Sequence, residues 1–430
     1  MNLHILKRLS AILALIFTAG CSDVLDISPR TSVSPDNLGQ NEVEQLLNGV
    51  YKQFQNGPGR DNVFLFDLLG GNLLTSNLGG RNEFIEHDVD ADNGALRTMW
   101  YGYYRGIYRV NILIETLERL EPTPRNQEIL GIAHFFRGYA YYSLVTRFGG
   151  VPILRTETRD FVERNTEAEV WAFVREELEK AIDLAPDFSS KSDPYYATSD
   201  AAKALLARTA LTLGDMATAT QLSEELIESG DFGLEDDFAS IFRSGSDSET
   251  IFAFENRFDE GVTFGALFTT VNYPTGGSYF FVPVDEMYDL FDDEDLRKEV
   301  TVSSYSALPM VNKYQGGLQG GDPIIIARIA EMYLISAEAQ GLAGLDRLNE
   351  LRVMRGLDPL AIADEALYAE AVAEERRREL AYEGFRWYDL VRTGKAMDEL
   401  PTVTAEYQLR LPIPVSELDL NPLLEQNPGY

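Results

Sequence analysis

The chain has 430 residues and carries 69 acidic against 37 basic side chains, a formal charge of −32 at pH 7. So acidic a body repels nucleic acid and anionic lipid surfaces, and it weakly disfavours a polyanionic ligand unless a local basic patch overrules the total. One cysteine and three histidines exclude an intrachain disulfide and poorly supply Ser-His-Asp, Cys-His or Cys/His zinc chemistry.

Residues 1–20 read as an export signal. Lys7 and Arg8 precede an apolar run over 9–17, and Thr18-Ala19-Gly20 lead into Cys21, the lone cysteine. The run is shorter than the ~20 apolar residues a membrane-spanning helix needs, but it suits a signal-peptide core. Small residues directly before a single cysteine form the bacterial lipoprotein pattern, in which the thiol is acylated and becomes residue one. Thr18 stands where that pattern usually carries Leu. An ordinary signal peptide ahead of a coincidental free thiol is the alternative. The mature chain is then 21–430, read as one domain, and losing Lys7 and Arg8 moves the formal charge from −32 to −34.

Helical periodicity dominates both ends of the chain. Apolar positions 43, 46, 47, 50, 51 and 54 make a stripe three and four residues apart, the signature of an amphipathic helix. Longer helices are expected over 96–120, over 129–148 up to the Gly149-Gly150-Val151-Pro152 stop, and over 167–185, ended by Pro186. Residues 199–213 and 216–229 pivot on Gly214-Asp215, with Ala202, Ala210 and Ala219 where two helices must approach closely. A second pair covers 327–340 and 345–355, turning through 341–344. Each pair has about the length of a tetratricopeptide repeat, and such pairs stack into an α-solenoid. The fold expected is mainly α, a tetratricopeptide-like solenoid carrying long irregular insertions with short β segments.

Two stretches break the pattern. About 67–94 is rich in Gly and Asn, and about 244–323 alternates β-like runs with glycine turns and many aromatics. Long irregular segments in a compact domain are usually functional or disordered, and aromatic content argues against disorder. GGLQGG at 316–321 matches neither a phosphate loop nor a dinucleotide fingerprint. His134, among apolar residues, reads as a packed histidine, and Trp100, Trp171 and Trp387 read as core. The acidic clusters 292–295 and 374–375 lie beside Arg297-Lys298 and Arg376-Arg377-Arg378 and read as ion-paired surface faces. Carboxylates are plentiful enough to leave a surface glycosidase with an acid pair as a lesser alternative, but no catalytic constellation, metal site or cofactor motif emerges, so the chain is read as a non-enzyme.

Several segments, in order, resemble the SusD/RagB family of outer-membrane nutrient-binding lipoproteins of Bacteroidota. They are CSDVLD at 21–26; Trp100 with Tyr104, Ile107 and Asn111; FFRGY at 135–139 with FGGVP at 148–152; RIAEMYLISAEA at 328–339 with LNELR at 348–352; ERRRELAYEGFRWYDL at 375–390, similar to the family's signature helix; and LPIP at 411–414 with Asn421-Pro422 and QNPGY at 426–430. The resemblance implies a lipid-anchored protein of the outer membrane, exposed at the surface. It implies capture of a glycan and delivery to a SusC-like TonB-dependent transporter, with no nucleic-acid partner. Capture of peptides, or a protein-interaction scaffold built on the helical repeats, is the alternative.

No ligand residue carries over from the family, so the site is chosen on physical grounds. Sugar rings need aromatic plates for their C–H faces and polar side chains for their hydroxyl rim. The first irregular stretch offers Asp67, Asn72, Asn77, Arg81 and Asn82. The second offers Asn272, Tyr273, Tyr279, Phe280, Tyr305, Asn312 and Tyr314, and neither contains tryptophan. The two stretches are expected to meet across one face.

Overall fold

The computed structural model describes residues 38–76, 81–243, 248–258, 260–261 and 263–430. The expected signal segment, Cys21 and Asn77 lie outside the described residues.

The longer helices are α1 (Val43–Asn56), α2 (Asp61–Leu69), α3 (Gly94–Glu118), α4 (Pro124–Phe148), α5 (Glu167–Leu184), α6 (Ser199–Thr212), α7 (Met216–Glu228), α8 (Ile329–Ala339), α9 (Leu345–Met354), α10 (Glu365–Glu379) and α11 (Arg386–Arg392). Their starts are written in side chains that satisfy the free amides of a first turn. Asn93 accepts from the Ala95 and Leu96 amides, Thr198 from Ala201, and Asp364 from Ala366 and Leu367. Thr166 and Glu169 form a reciprocal capping box on α5. Helix α4 begins five residues earlier than its apolar stripe predicts, because Thr123 caps it and Pro124 fits its first turn.

Successive helices pack side by side: α1 on α3, α3 on α4, α4 on α5, α5 on α6, α6 on α7, α7 on α8, and α8 on α9. That is the stacked-pair solenoid expected, mainly helical with short strands. Two glycines let the backbones close. A methyl group at Gly131 would lie 2.2 Å from the Ala185 amide at the α4–α5 crossing, and Gly214 turns the α6–α7 hairpin at φ +74°.

Strands occur as three antiparallel pairs: β1 (Leu73–Thr75) with β3 (Phe281–Pro283), β2 (Thr250–Phe254) with β6 (Ile324–Arg328), and β4 (Val302–Tyr305) with β5 (Leu308–Val311). The β2–β6 pair is fastened to the helices by aromatics; Phe252 meets Phe135 edge-on with ring centres 5.1 Å apart. Trp100, Trp171, Trp387 and His134 are all buried. His134 shares the Glu177 carboxylate with Arg137, at 2.8 and 2.6 Å.

Three expectations are corrected. The stretch read as irregular from residue 67 begins inside α2. The segment 375–390, read as one helix, is two, because Tyr382 (φ +64°) and Gly384 (φ +83°) break it between α10 and α11. The acidic clusters are ion-paired, but Asp295 and Glu375 belong to the interior. Arg297 donates to Asp295, Glu375 and Glu379, and all four side chains are fully buried. Arg328 and Arg355 converge on Glu249 and Glu379 in the same cluster.

Candidate functional site

The two irregular stretches are joined by β1 and β3, which pair Leu73 with Pro283, Leu74 with Val282 and Thr75 with Phe281. The ladder continues as the Ser76 amide donates to the Phe280 carbonyl at 2.9 Å. From there a string of contacts runs outward. Tyr279, at φ +51°, sends its hydroxyl to the Pro309 carbonyl on β5 at 2.9 Å. The β4–β5 hairpin turns on Ser306 and Ala307, both at positive φ, as a tight two-residue turn requires. Tyr305 at the end of β4 meets Tyr273 edge-to-face, with ring centres 5.0 Å apart and planes at 71°. Both rings are half-buried.

Tyr273 is held by its own loop. Its amide donates to the Thr270 carbonyl at 3.0 Å and its carbonyl accepts from Gly276 at 2.8 Å. Thr269 Oγ1 donates to the Gly276 carbonyl at 2.8 Å, and Thr275 Oγ1 to the Gln315 carbonyl at 2.7 Å. Gly277 is obligatory, since a methyl group there would sit 1.9 Å from the Thr269 carbonyl oxygen. Burial raises the Tyr273 hydroxyl above the usual phenol range, with Arg243 opposing. Arg243 is exposed, and its Nη2 donates to the Asn312 carbonyl at 3.3 Å. Gln315 Nε2 donates to Asn312 Oδ1 at 2.7 Å, while Asn312 Nδ2 donates to the Glu299 carbonyl at 2.6 Å. Asp322 fixes the neighbouring glycine loop by accepting from the Gly316 amide at 2.9 Å, and burial pushes its carboxyl up to about 7.

Tyr273, Tyr305 and Asn312 therefore lie along one edge together with Arg243 and Gln315, two residues that sequence reasoning does not single out. Gln315 is within reach of such reasoning, one residue beyond a chosen tyrosine; Arg243 carries no signal because it lies upstream of β2. Asn272 is exposed beside Tyr273, and Phe280 is half-buried against the core. Arg81 and Asn82 support the first stretch: Arg81 pairs with Asp61 at 2.6 Å, and Asn82 accepts from Thr75 Oγ1 at 2.5 Å.

Three chosen residues are corrected, because their side chains are shut away from solvent. Asp67 is completely buried and accepts from Asn72 Nδ2 at 3.0 Å, from the Tyr382 amide at 2.9 Å and from the Gly384 amide at 2.8 Å. Asn72, also buried, accepts from Arg377 Nε at 3.0 Å. Tyr314 stands among Phe64, Phe242, Phe264 and Phe268, with its hydroxyl on the Tyr382 carbonyl at 2.9 Å. These three anchor the loops to the helices.

Stacked helix pairs carrying long loop insertions, with tyrosines and amides along one loop edge, define a tetratricopeptide-like α-solenoid. Residues 23–211 match a family model described as "Starch-binding associating with outer membrane", and residues 309–401 match the model of the SusD family. The chain belongs to the SusD-like family. It is 27% identical to SusD-like protein P2 of Formosa agariphila, over 98% of this chain and 99% of that one. Its fold is shared with a solved laminarin-binding SusD-like protein (TM-score 0.80, 23% identity, 91% of this chain and 100% of the other). It is shared equally with surface glycan-binding protein A from Bacteroides uniformis (TM-score 0.80, 22% identity, 90% and 99%). The family descriptions name binding and association with the outer membrane rather than a reaction, in line with the reading as a non-enzyme.

Proposed function

We propose that this protein captures a glycan at the outer-membrane surface, tethered by an acylated Cys21, and passes it to a SusC-like TonB-dependent transporter. Its ligand rests on the Tyr273–Tyr305 edge, with Asn272, Asn312, Gln315 and Arg243 supplying the polar rim. The observation that carries this reading is the ring pair at 5.0 Å, presented half-exposed by a hairpin and a glycine-pinned loop. An edge-to-face pair offers two apolar surfaces at an angle, which suits a curved sugar chain better than one flat plate. Relatives described as laminarin-binding and glycan-binding support the ligand class.

A sugar unit of about eleven heavy atoms contributes at most ~3 kcal/mol at ~0.3 kcal/mol per atom. Two or three engaged units then correspond to roughly millimolar to micromolar binding, which suits capture followed by release. Affinity electrophoresis through gels containing single polysaccharides tests the reading. The wild type is retarded by at least one glycan, and the Tyr273→Ala/Tyr305→Ala variant migrates freely while keeping its melting temperature. Equal retardation of both would remove the ligand from this edge.

A further inference from the structure

Against the acidic total, one groove is basic. It lies between α1 and α3, has a volume of about 530 Å³, and is lined by Lys52, Arg97, Tyr101, Arg105 and Arg109 over a floor that includes Gly49, Gly57 and Gly102. Its lining contains no carboxylate. The glycines bring the two helices together: a methyl group at Gly102 would lie 2.4 Å from the Gly57 backbone, and one at Gly49 would lie 3.1 Å from the Arg109 guanidinium.

The cations of this groove lack close carboxylate partners. Lys52, Arg105 and Arg109 have no ion pair among the described residues, and Arg97 reaches only the exposed Asp92, at 3.8 Å. Elsewhere Arg81, Arg125, Arg208, Arg347 and Arg410 each hold a carboxylate within 2.8 Å. Arg105 lies over the Tyr101 ring at 5.9 Å. Glu417, which accepts from Trp100 Nε1 at 3.1 Å, raises the Tyr101 hydroxyl above its ordinary range and marks that end of the groove.

We infer that this groove is a second glycan subsite, selective for oligosaccharides that bear sulfate or carboxylate groups; the inference rests on the capture reading above. Guanidinium forks pair bidentately with either anion, and like charges crowded in one groove repel until an anion relieves them. Arg97, Tyr101, Arg105 and Arg109 recur every fourth residue along α3, spanning ~18 Å at 1.5 Å per residue. That length fits a chain with repeated anionic groups better than a single small anion. Tyr101 adds a ring face for a sugar, and the volume falls within the ~300–1,000 Å³ of typical ligand sites.

Titration calorimetry on the mature protein decides it, with an oligogalacturonate, a sulfated galactan oligosaccharide and a neutral glucan oligosaccharide as probes. One or both charged probes bind, weaken at high salt, and lose at least about tenfold in affinity, ~1.4 kcal/mol, in the K52Q/R105Q/R109Q variant. The neutral probe is indifferent to that variant, and comparison of the charged probes says which anion is read. Undiminished binding of the charged probes by the variant overturns the subsite and leaves the capture reading intact. So does a groove that takes polyglutamate and no charged sugar, which would make it a docking site for an acidic protein. Failure of every oligosaccharide to bind the wild type removes the capture reading and the subsite with it.

Discussion

Asp67 accepts a 2.8 Å hydrogen bond from the amide of Gly384, fastening α2 to the break between α10 and α11. The break depends on that side chain. Two residues at positive φ turn the chain, and the Tyr382 and Gly384 amides freed by the turn both end on Asp67. Burial pushes the Asp67 carboxyl up to about 6, against the pull of Asn72, Gly384 and Tyr382. The sign follows from proton binding. The folded state holds this proton up to about pH 6 and the unfolded chain releases it near 4, so between those values the folded state binds more protons and stability falls as pH rises. Asp67→Asn removes the titration. The variant is less stable than the wild type throughout, and the deficit shrinks between pH 4 and pH 7 by up to about 2–3 kcal/mol. Urea midpoints across that range measure it, and a constant deficit refutes it.

The scaffold is legible in the sequence because helices announce themselves locally. Stripes three and four residues apart, Gly149 after α4 and Gly214 between α6 and α7 locate most of the stacked pairs within a few residues. The site is only partly legible, because whether a polar side chain faces inward depends on contacts hundreds of positions away. Asp67 meets Gly384 and Asn72 meets Arg377, and no window around residue 70 carries that information. Tyr273, Tyr305 and Tyr314 look alike as candidates, yet only the assembled aromatic cluster distinguishes a core tyrosine from an edge one. The break at Tyr382 is hidden for a related reason: a non-glycine residue at positive φ leaves no compositional mark.

Tyr314 and Tyr273 respond to truncation to very different extents. Tyr314→Ala empties a space enclosed by four phenylalanines and costs about 3–5 kcal/mol. Tyr314→Phe loses only the bond to the Tyr382 carbonyl, about 1 kcal/mol. Tyr273→Ala, at a half-exposed edge, shifts stability by less than about 1 kcal/mol. Chemical denaturation of the three variants gives the ranking, and a Tyr314→Ala protein as stable as the wild type contradicts the core assignment.

Glu379 is the hub of the buried charge cluster, accepting from Arg297 at 2.8 Å, Arg355 at 2.9 Å and Arg328. Those three cations hold its carboxyl well below the usual range in spite of burial. Glu379→Gln leaves three guanidinium groups short of an anion in the interior, so a loss of about 3–5 kcal/mol is expected. An exposed pair such as Arg155 with Glu176 is worth no more than about 1 kcal/mol. Melting curves of Glu379→Gln beside Glu176→Gln check the contrast, and equal shifts would mean that burial adds nothing to the cluster.

Ser306 and Ala307 hold the β4–β5 hairpin at φ +52° and +64°, a region that favours Asn and Gly over Ser and Ala. Ser306→Asn with Ala307→Gly therefore relieves backbone strain at the tip that carries Tyr305, while Tyr305 still pairs with Leu308 across the turn. The double variant is expected to gain about 1 kcal/mol. It is also expected to bind glycan at least as tightly as the wild type, since the Tyr273–Tyr305 edge is held in the same geometry with less motion. Thermal unfolding and affinity electrophoresis read the two effects separately. A gain in stability with lost retardation would mean that the hairpin must move for sugar to bind, and no gain at all would mean that the turn is unstrained.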